Sequence, residues 1–336
     1  MSLTLQMIKN TFIKISKSIN RTPVLTCSTL DNMTGAKLFF KCENFQKTGV
    51  FKFRGACNAV FSLTATEAKQ GVATHSSGNH AAAIALAAKQ CNIPAYIVMP
   101  NNAPAVKKAA VENYGGNITF CEPTLTARET TLAEIVEATG AKFIHPFNDE
   151  RVIAGQATIG KEILEQCPPL DMVVAPVGGG GLLSGIAFSM TALSPRIKVI
   201  AAEPAMADDA YQSFKTGKLV TSVNPQTICD GLLTSLGDLT FPIIQQRVNN
   251  ILTASEESII KALRLIWERM KIIVEPSAAV PLAVILENPE IFKGKKVAIV
   301  LSGGNVDIPF LTSLMYGEGE KEPEVKKEKS RKKKPV

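Results

Sequence analysis

A lysine between two phenylalanines is the residue of this sequence best suited to covalent chemistry with a carbonyl group. Lys52 follows Phe51 and precedes Phe53, Arg54 and Gly55. Aromatic neighbours favour a partly buried amine with a lowered pKa, and an uncharged amine is the form that attacks an aldehyde. The alternative is an ordinary surface lysine. Lys52 is therefore a candidate attachment point for an aldehyde.

A run of four glycines lies between an apolar strand candidate and an apolar helix candidate. It consists of Gly178, Gly179, Gly180 and Gly181. Without Cβ atoms, several backbone N–H groups can turn toward one point, and the following helix adds the positive end of its dipole. No Walker A lysine follows, and Leu183 and Ser184 stand where a dinucleotide-binding loop needs its third glycine. We interpret the run as a phosphate site, with a tight turn as the alternative.

These two features together predict one cofactor. Pyridoxal phosphate carries an aldehyde and a phosphate on a single ring, so it needs both an amine and a phosphate cradle. The sequence therefore predicts a pyridoxal phosphate enzyme.

The segment 75–80 is an unbroken polar or glycine run before an alanine-rich helix candidate. It contains Ser76, Ser77, Asn79 and His80. Small residues at a helix N-terminus suit a second anion, such as the carboxylate of a substrate. The alternative is an ordinary helix cap, where serine and asparagine are preferred.

Another short polar loop begins at Ser302, directly after the apolar strand candidate Val297–Leu301. The hydroxyl of Ser302 is a candidate neutral partner for a ring nitrogen. A simple turn explains the segment equally well.

An acidic segment extends from Glu203 to Asp209. The carboxylates of Glu203 and Asp209, with the carbonyl groups between them, are candidate ligands for Mg²⁺ or Ca²⁺, because these ions prefer oxygen. The alternative is acidity at a helix start, where the dipole favours negative charge.

Bulk properties exclude several other classes. Hydrophobic residues make up 46% of the 336 residues, so a full-sized core is expected, and the net charge of +7 is weak evidence for nucleic acid binding. Seven cysteines without CxxC spacing favour reduced thiols in a cytoplasmic protein. No apolar run reaches the length of a membrane span. The N-terminal segment resembles a transit peptide in composition, but Ile8, Phe12, Ile15 and Ile19 predict a folded amphipathic helix.

Apolar strand candidates alternate with helix candidates along most of the chain. This alternation predicts an α/β protein with twisted, mostly parallel sheets and helices on both faces, whose ligands lie beyond the carboxyl ends of the strands. The predicted strands are Leu38–Lys41, Val72–His75, Ala95–Met99, Ile118–Cys121, Lys142–His145, Met172–Val177, Val199–Ala202 and Val297–Leu301. Residues 317–336 are rich in Lys and Glu and predict a disordered basic tail.

The motifs in this order resemble the serine racemase and serine/threonine dehydratase family, over about residues 5 to 315. The resemblance is carried by the stretches Thr22-Pro-Val-Leu, Phe51-Lys-Phe-Arg-Gly-Ala, Ser76-Ser-Gly-Asn-His, Ile153-Ala-Gly-Gln, Pro176-Val-Gly-Gly-Gly-Gly, Glu275-Pro-Ser-Ala and Leu301-Ser-Gly-Gly-Asn-Val-Asp. It implies a two-domain, fold type II pyridoxal phosphate enzyme. Residues 1–65 and 148–316 would form the large domain and residues 66–147 the small one.

The resemblance also implies roles for single residues. Lys52 would hold the cofactor and act as a base on one face of the substrate Cα, with Ser77 on the other face. Phe51, Asn79, the four glycines and Ser302 would contact the cofactor, while Ser76, Ser77, Asn79 and His80 would bind the substrate. Glu203, Asp209 and the carbonyl of Ala207 would bind Mg²⁺ or Ca²⁺. An ATP activator would contact Ser28, Lys47, Thr48, Tyr114 and Asn305.

The function expected from this resemblance is serine racemisation together with elimination of serine to pyruvate and ammonia, in a homodimer. One alternative is a dedicated dehydratase for serine, threonine or 3-hydroxyaspartate. A second is a non-catalytic protein that keeps the fold and uses the basic tail for binding.

Overall fold

The computed structural model describes residues 4–76 and 78–316, and Ser77 and the predicted basic tail lie outside them. Its ten strands form two sheets. The strands are β1 (Val24–Leu25), β2 (Lys37–Cys42), β3 (Val72–His75), β4 (Ala95–Pro100), β5 (Asn117–Cys121), β6 (Lys142–Phe143), β7 (Met172–Pro176), β8 (Lys198–Pro204), β9 (Asn250–Ala254) and β10 (Lys296–Leu301).

The larger sheet has the order β1-β2-β10-β7-β8-β9, and the smaller has the order β5-β4-β3-β6. All neighbouring strands are parallel except β1 and β2. Strands β7 and β10 are buried almost throughout, as expected for parallel strands covered on both faces. Because the strands are parallel, the carboxyl ends of β7, β8 and β10 share one edge of the larger sheet. The α/β class with parallel sheets is thus confirmed.

Fifteen α-helices occur in the part of the chain that the structure describes. They are α1 (Leu5–Ile15), α2 (Ser28–Thr34), α3 (Lys52–Val60), α4 (Ala65–Gln70), α5 (Asn79–Cys91), α6 (Ala105–Asn113), α7 (Leu125–Thr139), α8 (Glu150–Gln166), α9 (Gly181–Leu193), α10 (Asp209–Thr216), α11 (Thr240–Arg247), α12 (Glu256–Leu265), α13 (Pro276–Glu287), α14 (Pro289–Phe292) and α15 (Ile308–Tyr316).

All eight predicted strands are present, most of them within a residue or two of the expected bounds. Two strands differ by two residues at the carboxyl end: β8 ends later than predicted, at Pro204, and β6 ends earlier, at Phe143 and not at His145. The ring Nδ1 of His145 accepts hydrogen bonds from the backbone N–H groups of Phe147 and Asn148, so the chain turns there. The short β1 and the edge strand β9 were not predicted.

Helices α3 and α8 approach each other at a pair of glycines. A Cβ atom at Gly155 would lie 2.5 Å from Cα of Gly55, a distance at which no side chain fits. This contact sets α3, which begins at Lys52, directly against α8.

The N-terminal segment is the predicted helix, since Ile8 and Ile15 of α1 are buried. Compact units comprise residues 1–305 and 306–336, and the described part of the second contains α15. Within the first unit, the two sheets match the expected large and small domains in position along the chain, but boundaries at residues 65 and 147 stay a prediction. None of the helices in residues 4–76 and 78–316 combines the length and apolarity needed to cross a membrane.

Candidate active site

A cavity of about 510 Å³ lies at the carboxyl ends of the strands and brings together most of the predicted site residues. Those that line it are Phe51, Lys52, Ser76, Asn79, His80, Gly178, Gly179, Gly180, Gly181 and Ser302. Segments from widely separated parts of the sequence thus share one site. Ser77 lies outside the described residues.

Lys52, the first residue of α3, presents its amine in this cavity. Its Nζ donates a hydrogen bond to the carbonyl of Pro146 at 3.1 Å and lies 5.4 Å from the centre of the Phe51 ring. Burial lowers the pKa of Lys52 to about 8, although the carboxylate of Glu275 acts in the opposite direction. About a tenth of the amine is therefore uncharged at pH 7, compared with a negligible fraction at the ordinary pKa of 10.5, and the uncharged form is the one that attacks an aldehyde.

The start of α3 is held from behind by a buried charge network around Arg54. Its guanidinium donates to both carboxylate oxygens of Glu43 at 2.8 Å and to those of Glu162 at 2.7 and 2.8 Å. Lys41 also donates to Glu162, at 2.5 Å. Two cations thus balance two carboxylates, all of them almost completely buried.

The glycine loop between β7 and α9 offers a row of unused donors. Within the described residues, none of the backbone N–H groups of Gly178, Gly179, Gly180 or Gly181 donates a hydrogen bond to the protein. All four glycines are buried, and they lead into the N-terminus of α9, where the helix dipole is positive. The arrangement fits a phosphate group.

The opposite side of the glycine loop is tightly packed. A Cβ at Gly179 would lie 2.3 Å from the Phe147 ring, and one at Gly181 would lie 2.9 Å from Cβ of Phe147. Gly180 has φ +87°, a left-handed conformation that favours glycine. Packing and backbone conformation therefore require glycine at these positions. The N–H groups of the same residues donate to no described residue and can bind a ligand.

A chain of side-chain amides links Asn79 to both Glu275 and Asn305. The Nδ2 of Asn79 donates to Glu275 at 3.1 Å, and its Oδ1 accepts from Asn305 at 2.9 Å. Burial raises the pKa of Glu275 to about 7. Ser302 also lines the cavity, and its carbonyl accepts a hydrogen bond from the N–H of Phe51 at 3.0 Å. Glu275 belongs to a motif noted in the sequence, yet no role was predicted for it.

All three histidines of the chain line the cavity, although only His80 was predicted there. His80 donates from Nε2 to the carbonyl of Ile144 at 3.3 Å, and burial holds its pKa well below the usual range. Burial also lowers the pKa of His145 to about 4. The imidazoles are therefore uncharged at neutral pH. His75 ends β3 and His145 follows β6, so the rule that ligands lie beyond strand ends would have found both.

An ion pair joins α6 to the segment between α10 and α11 at the cavity wall. Lys107 donates to the carboxylate of Asp230, and both residues line the cavity. Arg128 of α7 lines it as well and makes no ion pair with any described carboxylate. These residues were not predicted, because nothing in their local sequence distinguishes them from surface charges.

The predicted metal ligands lie at the end of β8 and the start of α10 and do not line the cavity. Both oxygens of Glu203 accept backbone hydrogen bonds, from Ala210 at 2.9 Å and Tyr211 at 2.8 Å. Neither oxygen of the buried Asp209 accepts one of standard geometry from a described residue, although the Ser222 hydroxyl is near enough to favour its ionised form. Burial raises the pKa of Glu203 to about 9 and that of Asp209 to about 6.

No described lysine, arginine or histidine forms an ion pair with Glu203 or Asp209, and a bound cation would balance their charge. In residues 4–76 and 78–316, no three His, Cys, Asp or Glu side chains cluster as a complete metal site. The carbonyl of Ala207 and water would have to complete the ligand set.

Three of the five predicted nucleotide residues lie together. Asn305 donates to the carbonyl of Thr48 at 2.8 Å, and Lys47 is the neighbour of Thr48 in a short 3₁₀-helix. The Thr48 hydroxyl is buried and has no hydrogen-bond partner among the described residues. No hydrogen bond or ion pair within that part of the chain links Ser28 or Tyr114 to this group.

A low-pKa amine and a row of free N–H groups in one cavity are what pyridoxal phosphate requires, and the family comparison agrees. Residues 15–303 match the family model described as "Pyridoxal-phosphate dependent enzyme". The chain belongs to this family, and the predicted enzyme class and cofactor are confirmed.

Individual relatives narrow the class. A β-hydroxyaspartate dehydratase of Paracoccus denitrificans is 53% identical over 295 residues, which cover 88% of this chain and 94% of that protein. The serine racemase of Homo sapiens is 50% identical over 311 residues, which cover 90% and 91%. Among solved structures, the serine racemase of Dictyostelium discoideum has a TM-score of 0.87 at 50% identity and covers 91% of this chain and 99% of that one.

Proposed function

We propose that this chain is a serine racemase that also eliminates serine to pyruvate and ammonia. The observation that carries the proposal is the cavity that Lys52 and Gly178–Gly181 line together, where the backbone N–H groups of the four glycines donate to no described residue. Similarity of about 50% to serine racemases over most of the chain supports the reaction.

The residues of the site would divide the work as follows. Bound pyridoxal phosphate supplies an electron sink that lowers the barrier for removing a proton from Cα of an amino acid. Lys52 holds the cofactor and, once the substrate amine displaces it, accepts the Cα proton at Nζ. The glycine loop holds the phosphate, and the uncharged hydroxyl of Ser302 faces the ring nitrogen. Ser76, Asn79 and His80 orient the substrate carboxylate.

Racemisation also needs a proton carrier on the opposite face of Cα, and we assign that role to Ser77. Protonation from Ser77 after removal by Lys52 inverts the centre, and the reverse order returns it. When the β-hydroxyl leaves instead, serine loses water, and later hydrolysis releases pyruvate and ammonia. The ratio of the two outcomes changes about tenfold for each 1.4 kcal/mol between the barriers.

The attachment point can be identified directly. Borohydride reduction of the cofactor-loaded protein, followed by peptide mapping, should place the label on Lys52, and Lys52→Ala should lose the visible absorbance of the bound cofactor. Lys107 lines the same cavity and is an internal control. A label on Lys107, or on no residue, contradicts the proposal.

The reaction is tested by chiral analysis of products from L-serine. We expect D-serine together with pyruvate, and we expect Ser77→Ala to lower racemisation about 10²- to 10⁴-fold, the usual contribution of a general acid or base. Pyruvate without D-serine would exclude the racemase.

A dedicated dehydratase is the second candidate, favoured by the 53% identity to the β-hydroxyaspartate dehydratase. An arginine without a carboxylate partner in the cavity wall, Arg128, is compatible with a second substrate carboxylate. Elimination of 3-hydroxyaspartate and L-threonine, measured beside L-serine, distinguishes the two candidates. A non-catalytic binding protein, the third possibility, would remain colourless after addition of the cofactor.

We further propose Mg²⁺ or Ca²⁺ at Glu203, Asp209 and the carbonyl of Ala207. The support is the buried Asp209 carboxylate, neither oxygen of which accepts a hydrogen bond of standard geometry from a described residue. At one hundred times its dissociation constant, the ion should stabilise the protein by about 2.7 kcal/mol, and Asp209→Asn should abolish the effect. Asp208→Asn is the matched control, because Asp208 already accepts a hydrogen bond from Gln212. Equal loss in both variants, or no response in the unmodified protein, contradicts the site.

ATP is the proposed activator, bound near Lys47, Thr48 and Asn305, with Ser28 and Tyr114 as further contacts. The unpartnered Thr48 hydroxyl supports a ligand there. Lys47→Ala should abolish the response of serine turnover to ATP and leave turnover without ATP intact.

A homodimer, a cytoplasmic location and domains of residues 1–65 with 148–316 and 66–147 also remain proposals. Sedimentation analysis tests the first.

A further inference from the structure

Gln156 of α8 is a buried side chain whose polar atoms have no hydrogen-bond partner in the part of the chain that the structure describes. It is 1% exposed, and neither Oε1 nor Nε2 forms a hydrogen bond with any described residue. Leaving a buried amide group unpaired costs about 1–3 kcal/mol. Native proteins retain few such groups, so this one calls for a ligand.

The amide lies beside the helix that carries Lys52. A Cβ atom at Gly55 would lie 2.4 Å from Nε2 of Gln156. Gly55 is three residues after Lys52 on α3, so the two share one face of that helix. Gln156 also lines the cavity itself.

The same residue contacts the helix that follows the glycine loop. A Cβ at Gly185 would lie 2.9 Å from the backbone carbonyl carbon of Gln156. Gly185 is four residues after Gly181 on α9 and therefore lies one turn below the loop. Gln156 thus lies between the first turn of α3, which carries the aldehyde-binding amine, and α9 at a point one turn below the phosphate cradle.

The cationic side chains in the cavity leave a need for neutral donors. Three cationic side chains line the cavity: Lys107 is paired with Asp230, Lys52 is committed to the aldehyde, and Arg128 belongs to α7, which is neither of the two helices that begin at Lys52 and at the glycine loop. A phosphate accepts more hydrogen bonds than one short loop supplies, and a carboxamide Nε2–H is a suitable additional donor. We propose that Gln156 is a further cofactor-binding residue, which donates from Nε2 to the phosphate group held by Gly178–Gly181. This rests on the cofactor class alone and holds for a racemase or a dehydratase.

The test compares Gln156→Met in the cofactor-free and cofactor-loaded protein. Without cofactor, thermal stability should be unchanged or higher, because the variant removes an unpaired buried amide. Affinity for pyridoxal phosphate, titrated by absorbance, should fall about 10- to 100-fold, as expected for one hydrogen bond to a charged group. Affinity for unphosphorylated pyridoxal should not change.

Gln166→Met is the matched control on the same helix. Its amide is satisfied, since it donates to the carbonyl of Thr22 at 3.0 Å and accepts from Lys41 at 2.8 Å. This variant should lose stability and keep the ratio of the two cofactor affinities. Gln156→Glu provides a second variant, in which a carboxylate should weaken pyridoxal phosphate and spare pyridoxal.

Two outcomes would overturn the inference. If Gln156→Met loses cofactor-free stability as Gln166→Met does and binds pyridoxal phosphate normally, the amide is satisfied by buried water. If pyridoxal and pyridoxal phosphate lose affinity equally, Gln156 does not contact the phosphate.

Discussion

Lys52 and Arg54 are cations two residues apart on α3, and the protein treats them in opposite ways. Arg54 is fully buried and donates to four carboxylate oxygens. Burial opposes its charge, but the Glu43 carboxylate and the hydrogen bonds of Glu162 together raise the pKa of the guanidinium. Lys52 borders an open cavity with one carbonyl partner, and burial lowers its pKa to about 8.

The contrast separates a structural charge from a reactive one. Burial disfavours both charges, so the partners decide which charge persists. Four charge-assisted hydrogen bonds make Arg54 a fixed part of the interior. The near absence of partners keeps Lys52 available for covalent chemistry.

The largest expected effect is the loss of folding stability when Arg54, the cation paired with two carboxylates, is replaced. Arg54→Met leaves Glu43 and Glu162 buried with only Lys41 to balance them, so the free energy of unfolding should fall by about 3–5 kcal/mol. Urea unfolding at neutral pH measures it. The control is Arg21→Met, which removes an exposed ion pair with Glu165 and should change stability by about 1 kcal/mol at most. Equal effects would show that the network is not specifically stabilising.

Replacing Lys52 by methionine should change the free energy of unfolding in the opposite direction from Arg54→Met. Lys52→Met removes a poorly partnered cation, so the cofactor-free protein should gain about 1 kcal/mol at pH 7. If Lys52→Met lowers the free energy of unfolding as much as Arg54→Met does, Lys52 is a structural charge like Arg54 and the contrast between the two residues is wrong.

The pH dependence of stability provides a second readout for Lys52. The folded-state pKa of about 8 lies below the ordinary 10.5, so the unfolded chain binds more protons between these values. The stabilisation from Lys52 is therefore complete above pH 10.5 and is lost as pH falls through about 8. Lys52→Met should remove this slope, and an unchanged slope would assign it to other groups.

The smallest expected effect is a shift in the pH dependence of cofactor capture when the Glu275 carboxylate near Lys52 is removed. Capture of pyridoxal phosphate by the cofactor-free protein should slow about tenfold for each pH unit below a midpoint near 8, because only the uncharged amine reacts. The Glu275 carboxylate raises the pKa of Lys52, so Glu275→Gln should move the midpoint to lower pH. Stopped-flow absorbance measures the rate. Glu287→Gln, on the same helix, should leave it unchanged, and a shift toward higher pH in Glu275→Gln contradicts the electrostatic link.

Much of this arrangement was visible in local sequence. The eight strand predictions, the lysine and the glycine loop each depend on a few consecutive residues, and local patterns of hydrophobicity and glycine determine such features. The β6 prediction ran two residues too far because the chain turns at His145. The ring of His145 accepts hydrogen bonds from the N–H groups of Phe147 and Asn148, and hydrophobicity does not reveal such a turn.

The sequence by itself determined the alternating elements, the reactive amine and the flexible donors of the glycine loop. Only the tertiary structure decided how each charge behaves. Phe51 and Phe53 correctly predicted a lowered pKa for Lys52, but the same neighbourhood precedes Arg54, whose pKa moves upward. Glu162 lies more than one hundred residues from Arg54, and Gln156 is equally far from Lys52. The burial of these side chains, and their contacts with residues distant in the sequence, exist only after the parallel sheets and helices have packed. No local pattern encodes which distant groups meet.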